Sequence, residues 1–346
     1  MLLTLAPPVR PGTTGKSSGT GDPEPGETLL GETVTSPRHD DYFRALARGR
    51  AWLDALEVDA ADLAKHRVKG KKKLGEIIEA YWILSTRGEN DDEQAAILAR
   101  VRQLLEQIEK AGYHNLIEAD PGELTGASMP YLQIPWIMEQ FGLDNSAYLD
   151  EVRKAQPRLD RHMGQVDRHD HRYGRYWGPW QLTWFARFYE RLGLEKPAIL
   201  RNVNMSQGVI ARQVRPIALD TVTASDLTHE ILVAFDWGRA STQELFDAQA
   251  LPYISKALDH ITRRGVQGRD AEVVAAGVSS MSYLGWRDDP ACLLGIDYLL
   301  DNQNKNGSWG DYELSRPEWG DYLDAHAYLH TTMVSIRALV AAFDRD

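Results

Sequence analysis

A closed double ring of helices, an α/α toroid of about six helical hairpins (an α6/α6 barrel), is the all-α fold this sequence predicts, and three features predict it. Aromatic last turns run into a glycine suited to the left-handed cap position at Gly88, Gly142, Gly193, Gly238 and Gly285, with spacings of 54, 51, 45 and 47 residues. The intervening stretches are long and amphipathic, with few β-branched alternations. The helices also fall into two kinds, apolar around most of the circumference or charged once per turn, as the inside and outside of a ring require. A closed ring accounts for 346 residues without a second domain.

Residues 1–38 are rich in Pro, Gly, Ser and Thr, too poor in aliphatics to build a core, and read as a disordered tail; 39–346 form the toroid domain. Outer helices are expected at Asp41–Glu57, Asp92–Gly112, Ser146–Ala155, Pro197–Arg212, Thr242–Arg264 and Pro290–Gln303. Inner ones end at Tyr81-Trp82, Phe141, Phe188-Tyr189, Phe235-Asp236-Trp237 and Tyr283, and a last runs from about Tyr322 to Phe343. Gly126–Phe141 and Ala271–Tyr283 are apolar nearly all round and belong inside. Leu98–Lys110 and Leu251–Arg264 carry a charge every turn and belong outside. Asp91-Asp92 and Asp288-Asp289 fall where helix N-caps are needed.

Composition excludes several functions. A net charge of −11 disfavours nucleic-acid binding. No run of about 18 apolar residues is present, so no membrane span is expected. Cys292 is the single cysteine, which rules out an internal disulfide and points to the cytoplasm. No Gly-rich phosphate loop, nucleotide fingerprint or Gly-X-Ser-X-Gly elbow occurs.

Near the C-terminus, Tyr298-Leu299, Gln303, Gly307, Ser308 and Trp309 form a spaced motif. It resembles the glutamine–tryptophan repeat of triterpene cyclases, which ties an outer helix end to the next turn. The following segment, Leu329-His330-Thr331-Thr332-Met333-Val334-Ser335-Ile336-Arg337-Ala338-Leu339, resembles the inner helix after that repeat. It is also similar to the prenyltransferase β-subunit segment in which a His-Thr pair opens an inner helix and the histidine binds zinc. The resemblance covers about the last 60 residues and implies the terpenoid cyclase and protein prenyltransferase α/α-toroid superfamily. Two departures limit it: the Asp-X-Asp-Asp acid motif of cyclases is missing, and Cys292 sits one helix away from the zinc-binding Asp-X-Cys pair of prenyltransferases.

In a closed ring the inner helices share a direction, so polar residues in their first turns converge on one mouth. Asp226, His229 and Glu230 are expected to open the fourth inner helix, Asp270 and Glu272 the fifth, and Asp324, His326 and His330 the sixth. Asp226, Glu230, Asp270 and Glu272 are the candidate catalytic carboxylates. His229 and His330, each beside a threonine in different repeats, are the leading metal-ligand candidates, with His326 and Asp226 completing the set. Asp236, seven residues beyond His229, would orient the imidazole. Tyr131, Trp136, Trp177, Trp180, Trp184 and Trp237 are candidate substrate-binding aromatics, suited to polyene or aryl groups. His169, Asp170 and His171 lie in a charged loop read as solvated or gating, and the basic run from Lys65 to Lys73 as a connector, with a phosphate site as its alternative.

These residues predict an enzyme that encloses a small hydrophobic or aromatic substrate, isoprenoids included, and performs a cyclase- or lyase-type reaction of specialised metabolism. A divalent metal, zinc, iron or copper, is the expected cofactor. Two alternatives stand beside it: a redox-metal-dependent transferase or oxygenase-like enzyme on the same scaffold, and a non-catalytic helical-repeat binding module.

Overall fold

A computed structural model of the chain describes residues 38–58, 67–87, 90–110, 121–165, 178–320 and 327–343, and among these the regular structure is helical with no strand. The expected tail, apart from Arg38, lies outside the described residues. The long helices in chain order are α1 (His39–Ala55), α2 (Arg67–Ser85), α3 (Asp91–Lys110), α4 (Pro121–Gln140), α5 (Ser146–Gln165) and α6 (Pro179–Arg191). They continue with α7 (Thr221–Ala234), α8 (Leu251–Gly268), α9 (Ala271–Tyr283), α10 (Pro290–Asp301) and α11 (Leu329–Phe343).

Six of these close a ring. Contacts run from α2 to α4, α6, α7, α9 and α11 in turn, and from α11 back to α2. Outside it, α3 packs on α2, α5 on α4, α8 and α10 on α9, and α1 on α11. The two layers differ in burial as their sequences require. In α11 every residue from Leu329 to Val340 except His330 is buried, whereas α8 buries only the stripe Ile254, Ala257, Leu258, Ile261, Thr262 and Gly265. The expected glycine caps adopt left-handed backbone at Gly142, Gly193, Gly238 and Gly285, with φ of 63°, 65°, 83° and 76°. Gly88 lies outside the described residues.

The motif at 298–309 joins the two ends of the ring. Gln303 donates its amide to the carbonyls of Ala45 in α1 (2.8 Å) and Gly307 (2.9 Å), and the Trp309 indole donates to Leu299 O (2.8 Å). Trp309 is fully buried against Gly49 of α1, where any added Cβ would lie 2.9 Å from the indole. Tyr42 stacks on Phe343 at 4.2 Å, so α1 and the last helix seal the circle. Truncating such a buried indole to alanine typically costs about 3–5 kcal/mol.

The outer layer departs from expectation at three places. Pro197–Arg212 is not one helix but two single turns, Ala198–Arg201 and Val209–Arg212, with a 3-10 turn between them. Asn204 caps that turn through Ser206 N, and Gly208 is extended at the start of the second helical turn. The helix expected from Thr242 starts at Leu251, because Gln243 turns the preceding chain by bonding both backbone groups of Phe246. Helix α5 continues past Ala155 to Gln165, carrying Pro157 inside it.

Candidate functional site

An arc of polar side chains spans four neighbouring inner helices, α2, α11, α9 and α7, and ends on Trp180 of a fifth, α6. His330, the second residue of α11, sits between Glu76 of α2 and Glu272 of α9. Its Nδ1 lies 2.8 Å from Glu76 Oε1 and its Nε2 3.4 Å from Glu272 Oε1. Burial alone would push this imidazole down; the charges of Glu76 and Glu272 outweigh it and raise it to about 9. At neutral pH both ring nitrogens are therefore protonated donors.

One turn further along α11 than Met333, Arg337 pairs with Glu79, which follows Glu76 by one turn of α2. Two cations of α11 thus face two carboxylates of α2. All four lie on otherwise apolar faces, and Glu76, Glu79 and Arg337 are buried. The Tyr283 hydroxyl at the end of α9 feels the Arg337 and Glu79 charges and is pushed up to about 12, chiefly by burial.

His229 of α7 has a different environment. Its ring stacks on Trp180 at 4.2 Å, and Nδ1 lies 2.7 Å from the carbonyl of Ser225, which can only accept. Nδ1 therefore carries the proton, leaving the Nε2 lone pair as a base. Burial first, then the nearby positive charges of His330 and Arg337, push this imidazole down to about 4, so it is neutral at pH 7. Trp180 is held in turn by its indole N–H to Asp226 Oδ1, 2.8 Å.

Below this arc lies a floor of aromatic rings. Trp184, one turn after Trp180, lies 4.6 Å from Trp237, which lies 6.4 Å from Trp136, which lies 4.9 Å from Trp82. Trp237 reaches the cluster because Asp236, Trp237 and Gly238 are all left-handed, at φ 51°, 58° and 83°. Asp236 is fixed by Arg187 and Arg191.

The other candidates divide accordingly. Asp226, Glu272, His229, His330, Trp180, Trp184, Trp136 and Trp237 belong to the arc and floor. Asp226, His229 and Glu230 do not open their helix, however; α7 begins at Thr221, so they occupy its second and third turns. Glu230 is turned away from His229: both its oxygens accept from Val209 N (2.6 Å) and Ile210 N (3.0 Å), tying α7 to the outer layer. Burial pushes Glu230 up to about 7 despite those bonds. Asp270 is exposed and caps α9 through Val273 N (3.1 Å). Tyr131 is fully buried against α5, within reach of Glu151 and Tyr148, and not in the floor. Asp236 does not orient His229, because α7 ends at Ala234 and the helical register is lost before it. Trp177, His326, Asp324, His169, Asp170 and His171 lie outside the described residues. So do Lys65 and the side chains from Arg67 to Lys72; Lys73 donates to Glu57 O (2.6 Å).

Sequence reasoning missed Glu76, Glu79 and Arg337. Their signal was present, since each is a charged residue inside an apolar inner helix, with Glu76 and Glu79 three apart and His330 and Arg337 seven apart.

Among the described residues no group of three or more histidine, cysteine or carboxylate side chains is placed to hold an ion. His330 faces Glu76 and Glu272 through its two ring nitrogens, His229 Nδ1 is taken by the Ser225 carbonyl, and Asp226 Oδ1 accepts from the Trp180 indole. The arrangement places a doubly protonated imidazole and a neutral one, protonated on Nδ1 alone, in the same arc above an aromatic floor.

No helix among the described residues is long and apolar enough to cross a membrane. A family model described as a domain of unknown function (DUF6895) matches residues 42–340. No curated protein and no solved structure matches the chain.

Proposed function

The chain belongs to the DUF6895 family, and for this member we propose an enzyme that performs acid–base chemistry of the lyase or cyclase type on a small aromatic or otherwise apolar substrate held inside the ring. The observation that carries this reading is the opposite surroundings of two partly buried histidines in one arc, His330 between two carboxylates and raised to about 9, His229 against Trp180 and the Ser225 carbonyl and lowered to about 4. Paired groups whose environments drive their pKa values apart are what acid–base assignment requires.

His229 Nε2 takes a proton from a carbon of the substrate. The electron pair left behind forms a double bond or a new ring bond, and the leaving oxygen departs with the proton from His330 Nε2. That nitrogen is the available one, since its contact with half-exposed Glu272 is long at 3.4 Å, whereas Nδ1 is held by buried Glu76. Glu76 keeps His330 charged before transfer, and the Ser225 carbonyl keeps His229 in the tautomer with a free Nε2. Trp180, Trp184 and Trp237 present apolar walls that exclude water and hold flat or polyene groups.

The test is differential metabolite profiling. Purified wild type, His229→Asn and His330→Gln are each incubated with a small-molecule extract of the source cells and read by mass spectrometry. A metabolite consumed by wild type, replaced by a product of equal mass or one water lighter, and spared by both variants is the expected result. Identical profiles for all three proteins would sink the reading and leave the binding module in its place.

A further inference from the structure

The floor contains hydrogen-bond donors with nothing to donate to. The indole N–H groups of Trp184 and Trp237 are both buried and have no partner among the described residues, and the same holds for Nη1 of Arg191. Trp184 and Trp237 are more than nine-tenths buried, at 8% and 6% exposure, with ring centres 4.6 Å apart. Arg191 stands 4.9 Å over Trp136, the next ring of the same cluster. Two other buried indoles are satisfied, Trp180 by Asp226 and Trp309 by Leu299 O. An orphaned buried donor forfeits its hydration without a replacement bond, so three in one cluster call for an acceptor.

Charge narrows the acceptor. Arg187, Arg191 and Arg239 surround the floor, with Arg239 5.3 Å over Trp136, and Asp236 is the carboxylate that pairs with two of them. These groups are net positive and rich in donors, and the rings packed with the two orphaned indoles are Trp82, Trp136 and Phe188. We propose that this floor anchors the carboxylate of a planar aromatic ligand, its two oxygens accepting from Trp184, Trp237 and Arg191 while its ring packs among the tryptophans. Trp184 lies one helical turn, about 5–6 Å, beyond Trp180, so a ligand of one or two rings anchored here extends toward His229. The inference deepens the proposed function by naming the substrate class, and it rests on that reading only for what happens at the other end of the ligand.

The full chain labelled with 15N-tryptophan is titrated with benzoate and naphthoate, and in parallel with naphthamide and naphthylmethylammonium. Indole signals are assigned with Trp184→Phe and Trp237→Phe, which keep a ring and remove the donor. At least one carboxylate is expected to move the Trp184 and Trp237 indole N–H signals and leave that of Trp309 in place. The amide should bind at least tenfold more weakly, and each Phe variant should weaken the carboxylate about tenfold, or ~1.4 kcal/mol. Absence of any carboxylate-induced shift, equal binding of the amide or ammonium, or a Trp309 shift of the same size would overturn the proposal. His330→Gln separates the two readings: floor binding kept in that variant, with no metabolite transformed by wild type, leaves the anchor standing and removes the catalytic assignment. Turnover by wild type with an unresponsive floor does the reverse.

Discussion

His330 and His229 are the same residue type on inner helices of one ring, both enclosed by protein, yet one is held charged and the other neutral. Burial pushes both down; the difference is that α11 faces carboxylates on both sides, Glu76 and Glu272, while His229 faces a tryptophan ring and a backbone carbonyl. Desolvation therefore sets the direction only where no charge opposes it. The same helix repeats the device one rung further in, with Arg337 on Glu79.

This contrast has a definite pH signature. The imidazole of His330 rises from 6.5 to about 9 on folding, so its contribution is complete below pH 6.5 and is lost as pH rises through 9. That of His229 falls from 6.5 to about 4, so its contribution is complete above pH 6.5 and is lost as pH falls through 4. In thermal melts, the gap between wild type and His330→Gln should shrink from pH 6.5 to 9. The gap between wild type and His229→Asn should shrink from pH 6.5 to 4. Parallel gaps across both ranges would contradict the assigned protonation states.

The largest effect should come from breaking the inner rung. Glu79→Ala leaves Arg337 buried without its carboxylate, which typically costs about 3–5 kcal/mol, on the order of 10 °C in Tm. Adding Arg337→Met should recover more than half of that loss; no recovery in the double variant would mean that Glu79 acts through something other than Arg337. Next is Glu76→Gln, which should make His330 resemble His229 by lowering its pKa by ~2 units, read by NMR titration of the ring. Glu272→Gln should lower it by less, because that contact is longer and half-exposed. A drop as large as that of Glu76→Gln would reverse the ranking of the two carboxylates.

Smallest for the site itself is Gly208→Ala. A Cβ there would lie 2.6 Å from Glu230 Oε1, so the buried carboxylate must shift at a cost of roughly 1–3 kcal/mol. The titration of His229, one residue from Glu230 but on another face of α7, should not change. A shifted His229 would show that the outer tie reaches the axis.

Much of the ring was legible in the chain. Glycine after an aromatic last turn marks a helix end because only a residue without Cβ enters the left-handed cap freely, and four described members of that series do so. Apolar coverage all round told α9 from the striped α8. The connection from 197 to 212 was misjudged because its apolar residues suit a helix. Gly208 and the Glu230 carboxylate instead break it into turns.

The site was legible residue by residue but not in its pairings. His229, His330, Asp226, Glu272 and three of the floor tryptophans stand out in the sequence as polar or aromatic groups on inner helices. Glu230 and Asp270 stood out equally and proved to serve backbone N–H groups. A one-residue difference on a helix turns a side chain by about 100°, which separates His229 from Glu230 and which periodicity near a helix start resolves poorly.

By itself, then, the sequence determined the alternation of inner and outer helices, their capped ends and the residue types on the inner wall, because these follow from local backbone preference and the period of apolar burial. The tertiary structure alone decided that Glu76, 254 positions from His330, would hold that imidazole charged, and that burial beside Trp180 would keep His229 neutral, its one proton on Nδ1 facing the Ser225 carbonyl. Protonation depends on which charges lie within a few ångströms, and closing the ring is what brings α2 against α11.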